Sequence, residues 1–216
     1  MGRPLKSSSQ KPAKEKLLEA AFQLIRSKGY SSTTVEEICE LAGVTKGTFF
    51  HYFDKKESLA VEAAKHWSFV TGTFFNSAPF QKLTDPLDRI LGYIDFRKKL
   101  LRGKIPEFTC LVGTMVQETY DSNPQIRKAC KESIFVHAKI FLEQDIIAAK
   151  KLYAPDAKWS AKNLALHTQC VIQGAFILAK AGNSSEYAID SIDHLKNYIN
   201  FLFNQNAKNK KKEANV

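Results

Sequence analysis

Apolar residues recur along this chain at intervals of three and four over nearly its whole length, the period of helices that pack by one face. Leu18, Ala21, Phe22 and Ile25 form the first stripe and predict a helix from about Pro12 to Lys28, which Gly29 ends. Val35, Ile38, Leu41 and Ala42 follow behind Thr34, with Glu37 three residues on. Thr34 and Glu37 make a capping box, each side chain satisfying a backbone N–H that the first turn orphans. Gly43 stands where a helix ends in the left-handed conformation, which glycine adopts without strain. Val44 is apolar inside the turn, and Thr45 caps a second short helix. On that helix Phe49 and Phe53 face the core, while Lys46, Thr48, Phe50, His51 and Tyr52 spread over the other side. Asp54 and Glu57 form a further capping box and open a long helix striped by Leu59, Ala63, Trp67, Val70 and Phe74.

The period continues beyond a break at 79–84. Asp85 and Pro86 open a helix, cap then proline at the first position, with Leu87, Ile90, Leu91 and Ile94 inward and an end at Gly103 to Pro106. A shorter helix runs from about Thr109 to Tyr120, and Asn123-Pro124 starts a long one to about Leu152. Two last helices, about Ser160 to Ala181 and Ser185 to Asn204, flank Gly182-Asn183-Ser184. The expected fold class is all-α with about nine helices: a flexible basic arm over 1–10, a three-helix helix-turn-helix domain over 11–56, a helical domain over 57–204 and a disordered basic tail over 205–216.

Two short helices joined by a tight turn would also suit a plain hairpin in a bundle. Against that, Thr-Lys-Gly-Thr-Phe-Phe-His-Tyr-Phe makes a poor solubilising surface but a good surface for phosphate and a DNA groove. Three runs carry a specific likeness: Leu-Glu-Ala-Ala-Phe-Gln-Leu-Ile, Lys-Gly-Tyr-Ser-Ser-Thr-Thr-Val-Glu-Glu-Ile, and Ala-Gly-Val-Thr-Lys-Gly-Thr-Phe-Phe-His-Tyr-Phe-Asp-Lys-Lys-Glu-Ser-Leu. Residues from Lys14 to Leu59 thereby resemble the DNA-binding domain of the TetR/AcrR family of bacterial transcription regulators. The resemblance implies that Thr34 meets phosphate at the start of the first short helix. It puts Thr45, Lys46, Gly47 and Thr48 at the leading end of the recognition helix, where dipole, small side chains and charge favour close approach. Phe50, His51 and Tyr52 would lie against the groove, and Lys56 on phosphate. Family members often carry tyrosine where Phe50 stands, so a phosphate-bonding hydroxyl is missing here.

The last two helices suggest a second copy of the chain. Ile192, Leu195, Ile199 and Leu202 step 3-4-3, and Leu164, Val171, Gly174 and Leu178 line the helix before. A mid-helix glycine costs ~1 kcal/mol against alanine, so close approach of another helix is expected at Gly174. A homodimer with a four-helix interface, as in the family, is the expectation; closure of the monomer core is the alternative. The resemblance also implies a small-molecule effector pocket among the later helices. Trp67, Tyr93, Phe96, Phe108 and Cys110 are candidates for it, with Met115, Phe135, Phe141 and Phe176, against the alternative of ordinary core. Thr109-Cys110-Leu111-Val112-Gly113 resembles a stretch in members that sense electrophiles or oxidants through a cysteine; inert core is the other reading.

Composition narrows the function classes. At 216 residues the net charge is +10, which favours a polyanionic partner. No apolar run of ~18 residues and no signal-peptide core is expected, which points to a cytoplasmic protein without membrane contact. The four cysteines and five histidines are scattered, so no metal or cofactor is expected, and no nucleophile–base pair suggests an enzyme. The expectation is a ligand-responsive transcription regulator: a repressor that binds a palindromic double-stranded operator as a homodimer and is released by a small molecule. An enzyme or carrier built from helices, and a nonspecific architectural DNA-binder, are the competing classes.

Overall fold

In the computed structural model, helix α1 (Ala13–Lys28) buries Leu17, Leu18, Ala21 and Ile25 and stops at Gly29, whose φ is +92°. The structure describes residues 11–213, with side chains as far as 203, so the arm over 1–10 and the side chains of the basic tail lie outside the described residues. Helix α2 (Val35–Ala42) starts with the expected capping box. Thr34 Oγ1 accepts the Glu37 N–H at 3.3 Å, and the Glu37 carboxylate accepts the Thr34 N–H at 2.9 Å. It ends at Gly43 with φ +63°. Thr45 caps α3 (Lys46–Tyr52) by accepting the Thr48 N–H at 3.1 Å.

Three expectations fail here. Leu41 is exposed, because α2 is short and turns only Ile38 and Cys39 fully inward. The box at Asp54 and Glu57 does not form: Asp54 accepts the Ser58 hydroxyl, and α4 (Lys56–Asn76) has Lys55 at its N-cap, which makes no side-chain cap. The stripe of α4 also changes register. Leu59, Ala60, Ala63 and Ala64 are buried in its first half and Phe75 at its end, while Val70 and Phe74 are exposed. The helix packs on α1 at one end and a different set of helices at the other, so no single face stays inward.

A 3-10 turn at Pro79–Lys82 leads to α5 (Pro86–Lys99), where the Asp85 carboxylate accepts the N–H groups of Leu87 and Asp88 at 2.8 and 3.0 Å. One short helix, α6 (Ile105–Phe108), is not visible in the sequence, since four residues carry no stripe. Helix α7 is Leu111–Thr119. The long helix expected next is α8 (Pro124–Ala138) running through a π turn, Lys139–Glu143, into α9 (Gln144–Tyr153). Then come α10 (Ala161–Gly182), ended by Asn183 in the left-handed conformation, and α11 (Glu186–Glu213), which continues past Asn204. No strand occurs among the described residues.

Two apolar clusters hold these helices. One joins α1–α4 to α7 and α8 through Leu17, Ile25, Ile38, Phe49, Met115 and Ile126. The other joins α5, α9, α10 and α11. The second cluster corrects four of the expected interface residues: Leu164, Ile192, Leu195 and Ile199 are buried inside the subunit. The 3-4-3 stripe is the face turned to α5 and α9. The outer side of the pair is apolar as well, with Ile177, Leu178, Tyr187, Tyr198 and Phe201 exposed. Val171 and Leu202 are partly buried, and a Cβ on Gly174 would meet nothing within 4 Å. This two-sidedness makes α10 long and apolar enough to cross a membrane by composition, contrary to expectation; its buried residues nonetheless belong to the core.

Candidate nucleic-acid interface and adjoining cavity

Helix α3 divides its side chains sharply. Phe49 is 0% exposed and Phe53 3%, their rings 5.6 Å apart, so the helix is anchored from beneath. Above the anchor, Phe50 is 56% exposed and Tyr52 41%, with Lys46 and His51 also in solvent. Phe50 meets Phe49 edge-on at 5.2 Å, and His51 meets Tyr52 at 4.8 Å, which limits the freedom of these rings. A side chain on Gly47 would touch only Thr45 Oγ1, at 3.7 Å, so the glycine keeps the leading end of the helix low. Thr45 and Thr48 share a hydroxyl contact of 3.0 Å.

Ion pairs tie α2 to α3 and to α1. Lys46 pairs with Glu36, and that bond holds the Glu36 carboxyl below its usual range. Glu37 is pulled down to about 2 by the Lys28 ammonium and by the N–H and hydroxyl of Thr34. The Thr34 hydroxyl is therefore engaged in the cap. Lys56 departs from its assignment. Its ammonium donates to the carbonyls of Tyr30 and Thr33 at 3.1 and 2.9 Å and lies 4.4 Å from the Tyr30 ring centre. Two of its three N–H bonds are thus turned inward, and Lys55 is the exposed cation at this corner.

A cavity of about 130 Å³ lies among α4, α5, α6, α7, α8 and α10. Of the nine pocket candidates, Trp67, Phe108, Cys110, Phe141 and Phe176 border it. The other four candidates do not. Tyr93 is wholly buried behind the wall, and Phe96 packs on Phe74 and Phe75 at 5.3 Å from each. Met115 is wholly buried in the cluster under α1–α4, and the ring of Phe135 faces outward beneath Lys131. Arg97, His137, Gln169 and Gln173 also border the cavity and were missed. The only signal for them is polarity inside apolar helices, Gln169 being 4% exposed. The π turn that follows His137 carries Ile140 and Phe141 onto the wall, a frequent use of such turns.

Helix α7 connects this cavity with the first cluster. At its start Cys110 borders the cavity and accepts the Gly113 N–H at 3.4 Å. Near its end the Glu118 carboxylate accepts the N–H groups of Tyr30 and Ser31, at 2.9 and 2.8 Å, in the loop leading to α2. Gly29 admits that approach: a Cβ there would fall 2.5 Å from Glu118 Oε1. Burial pushes the Glu118 carboxyl up, but the hydrogen bonds from Ser31 and Tyr30 outweigh it and the group lies below its ordinary value. A depressed carboxylate contributes stability that is complete above its unfolded pKa of about 4.3 and is lost as pH falls through the folded value. Glu118→Gln is expected to lower unfolding stability at pH 7 by about 1–2 kcal/mol and to remove that part of the acid sensitivity. Urea titrations at pH 7 and pH 4 test this; an equal loss at both pH values would place the effect elsewhere.

Comparison with known proteins bears on both halves of the chain. Residues 17–63 match the family model described as bacterial regulatory proteins, tetR family, and residues 86–191 match the C-terminal domain model of LmrA/YxaF-like transcriptional regulators. An uncharacterized HTH-type transcriptional regulator from Lactococcus lactis subsp. lactis is 30% identical over 193 residues, covering 85% of this chain and 91% of the relative. Among solved structures, regulatory protein TetR from Rhodobacter sphaeroides has a similar fold, with a TM-score of 0.76 at 23% identity over 88% of this chain and 98% of that one. Reduced Escherichia coli NemR is similar as well, with a TM-score of 0.73 at 22% identity over 86% and 95%.

Proposed function

Since the chain belongs to the TetR family of transcriptional regulators, DNA-binding proteins and not enzymes, we propose that it is a repressor that grips a palindromic operator as a homodimer and is released by a small molecule. The observation carrying this reading is the division of α3 into a buried Phe49 side and an exposed face of Lys46, Phe50, His51 and Tyr52. That face enters the major groove, with Thr45, Lys46, Gly47 and Thr48 leading. Phe50 supplies apolar contact, for which a thymine methyl is the fitting partner. Thr34 approaches phosphate through the first amides of α2, and Lys55 takes the phosphate contact for which Lys56 is turned inward. The +10 net charge adds sequence-independent attraction.

Two copies joined along the outer faces of α10 and α11 would present two such helices to half-sites about 34–36 Å apart. The cavity beside α4 is the effector site. A ligand there favours release only if it binds one half-site spacing better than the other, and α4, α7 and α8 are the helices that border both the cavity and the DNA-binding cluster.

Selection from a random duplex pool, followed by retardation against excess scrambled DNA, tests this. A palindrome should emerge and survive competition, and Lys46→Ala should reduce the log–log salt slope by about one unit. Retention that is equal on selected and scrambled duplexes would leave only nonspecific binding.

A further inference from the structure

We propose that the cavity takes a small aromatic carboxylate, one ring bearing one acid group, and that Arg97 binds the acid. The inference rests on the reading of this cavity as the effector site and names the chemistry that the site selects.

Charge is the first argument. Arg97 borders the cavity, no lining residue carries a carboxylate, and among the described residues no acid pairs with the guanidinium. His137 beside it contributes no charge at neutral pH, because burial and the Arg97 cation push its pKa well below the usual value. The site is left with one half-buried cation and no anion among its lining residues.

A surplus of hydrogen-bond donors is the second. The Tyr93 hydroxyl accepts from Arg97 Nε and from Gln169 Nε2, each at 3.0 Å, which occupies both its lone pairs. Its own proton then points to His137 Nε2 at 3.0 Å, and Arg97 Nη2 reaches the same nitrogen at 3.0 Å. A neutral imidazole offers a single lone pair, so two donors contest it. The guanidinium face is covered by the Phe75 ring at 4.4 Å, leaving its in-plane N–H groups as the reactive edge. A carboxylate brings several acceptor sites and no donor, and it matches that planar edge in a two-bond arrangement.

Size and wall chemistry supply the ring. About 130 Å³ compares with the roughly 150 Å³ dry cavity that accepts benzene in an engineered protein. Trp67, Phe108, Phe141 and Phe176 give it aromatic walls, which favour edge and offset contacts with another ring. A neutral arene would fill the space but leave the donors unmatched; a cation would be repelled by Arg97.

Calorimetric titration of the full-length, DNA-free protein distinguishes these ligands. Benzoate or 4-hydroxybenzoate should bind at least tenfold more tightly than benzamide, the neutral counterpart, and acetate more weakly than either acid. Arg97→Met should weaken benzoate at least tenfold while leaving benzamide within twofold. Arg97→Lys, which keeps charge without the planar fork, should fall between, and unchanged circular dichroism would show that both variants fold. Equal affinity for benzoate and benzamide, full benzoate binding by Arg97→Met, or no binding of either acid at millimolar concentration would each overturn the proposal. Operator release is scored separately: an acid that binds as described but leaves the operator complex intact removes the effector reading and leaves the anion site standing.

Discussion

Glutamate introduced at Leu178 and Phe201 together will yield a folded monomer with little hold on the operator. Both side chains are more than half exposed in the isolated subunit, at 52% and 57%, so the change breaks no internal packing. Beside them Ile177, Tyr187 and Tyr198 are exposed too, and the Tyr198 ring rests on His167 at 5.3 Å. Gly174 presents bare backbone to the same side. An exposed patch of that kind on two adjoining helices is what a second copy would cover. Four carboxylates buried unpaired in one symmetric interface would raise the dissociation constant at least about a thousandfold, roughly 4 kcal/mol. Each freed subunit then meets a single half-site and loses the roughly hundredfold or greater gain of a linked second contact. Sedimentation velocity at micromolar concentration, circular dichroism and operator titration check the three parts. Leu195→Glu is the contrast: at 2% exposure it puts the charge into the subunit core and should lower thermal stability sharply. A double variant that stays dimeric, or a Leu195→Glu protein that folds as a clean monomer, would reverse the assignment of the two faces.

That contrast also shows what a sequence can and cannot disclose. The elements from α1 to α3 were legible because their determinants are local. Thr34 and Glu37 lie one turn apart, Gly43 adopts φ +63°, and Phe49 and Phe53 lie a turn apart on the inner side of a helix too short to hide them otherwise. The period also located α10 and α11, but it reports only that a face is apolar. Whether α5 or another subunit covers that face depends on partners distant in the chain, and here both sides are apolar. Long side chains escape local reading for the same reason. Lys56 is fixed by carbonyls 23 and 26 residues away. The polar cluster at the cavity combines Tyr93 and Arg97 of α5 with His137 of α8 and Gln169 of α10, and no window of sequence contains it. Phe74 was expected inward where Phe75 is, because α4 serves two clusters with different faces.

Phe49→Ala and Phe50→Ala, adjacent and chemically identical changes, should give opposite phenotypes. Phe49 has no exposed surface and packs in the cluster that includes Leu17, Ile38, Leu59 and Met115. Removing its ring leaves a cavity that neighbouring rings cannot close, a loss of about 3–5 kcal/mol. That is a large share of the ~5–15 kcal/mol by which a domain is stable. The same cluster reaches Leu111 and Ile126 of α7 and α8, so the loss should appear in one cooperative transition and not as local fraying of α3. Operator binding then falls because folded protein is scarce, and it should recover on cooling or with a stabilising osmolyte. Phe50 is 56% exposed, and its truncation should change stability by less than about 0.5 kcal/mol. Its effect should fall on DNA instead, about tenfold in affinity if the ring covers a thymine methyl, with no recovery under stabilising conditions. Phe50→Tyr adds a hydroxyl at the edge of the groove and should bind at least as tightly as the parent. Urea unfolding and anisotropy titration with the selected operator measure both quantities on the same samples. If Phe50→Ala keeps full operator affinity, α3 does not read the groove through its exposed aromatic face, and the division between its two sides serves packing alone.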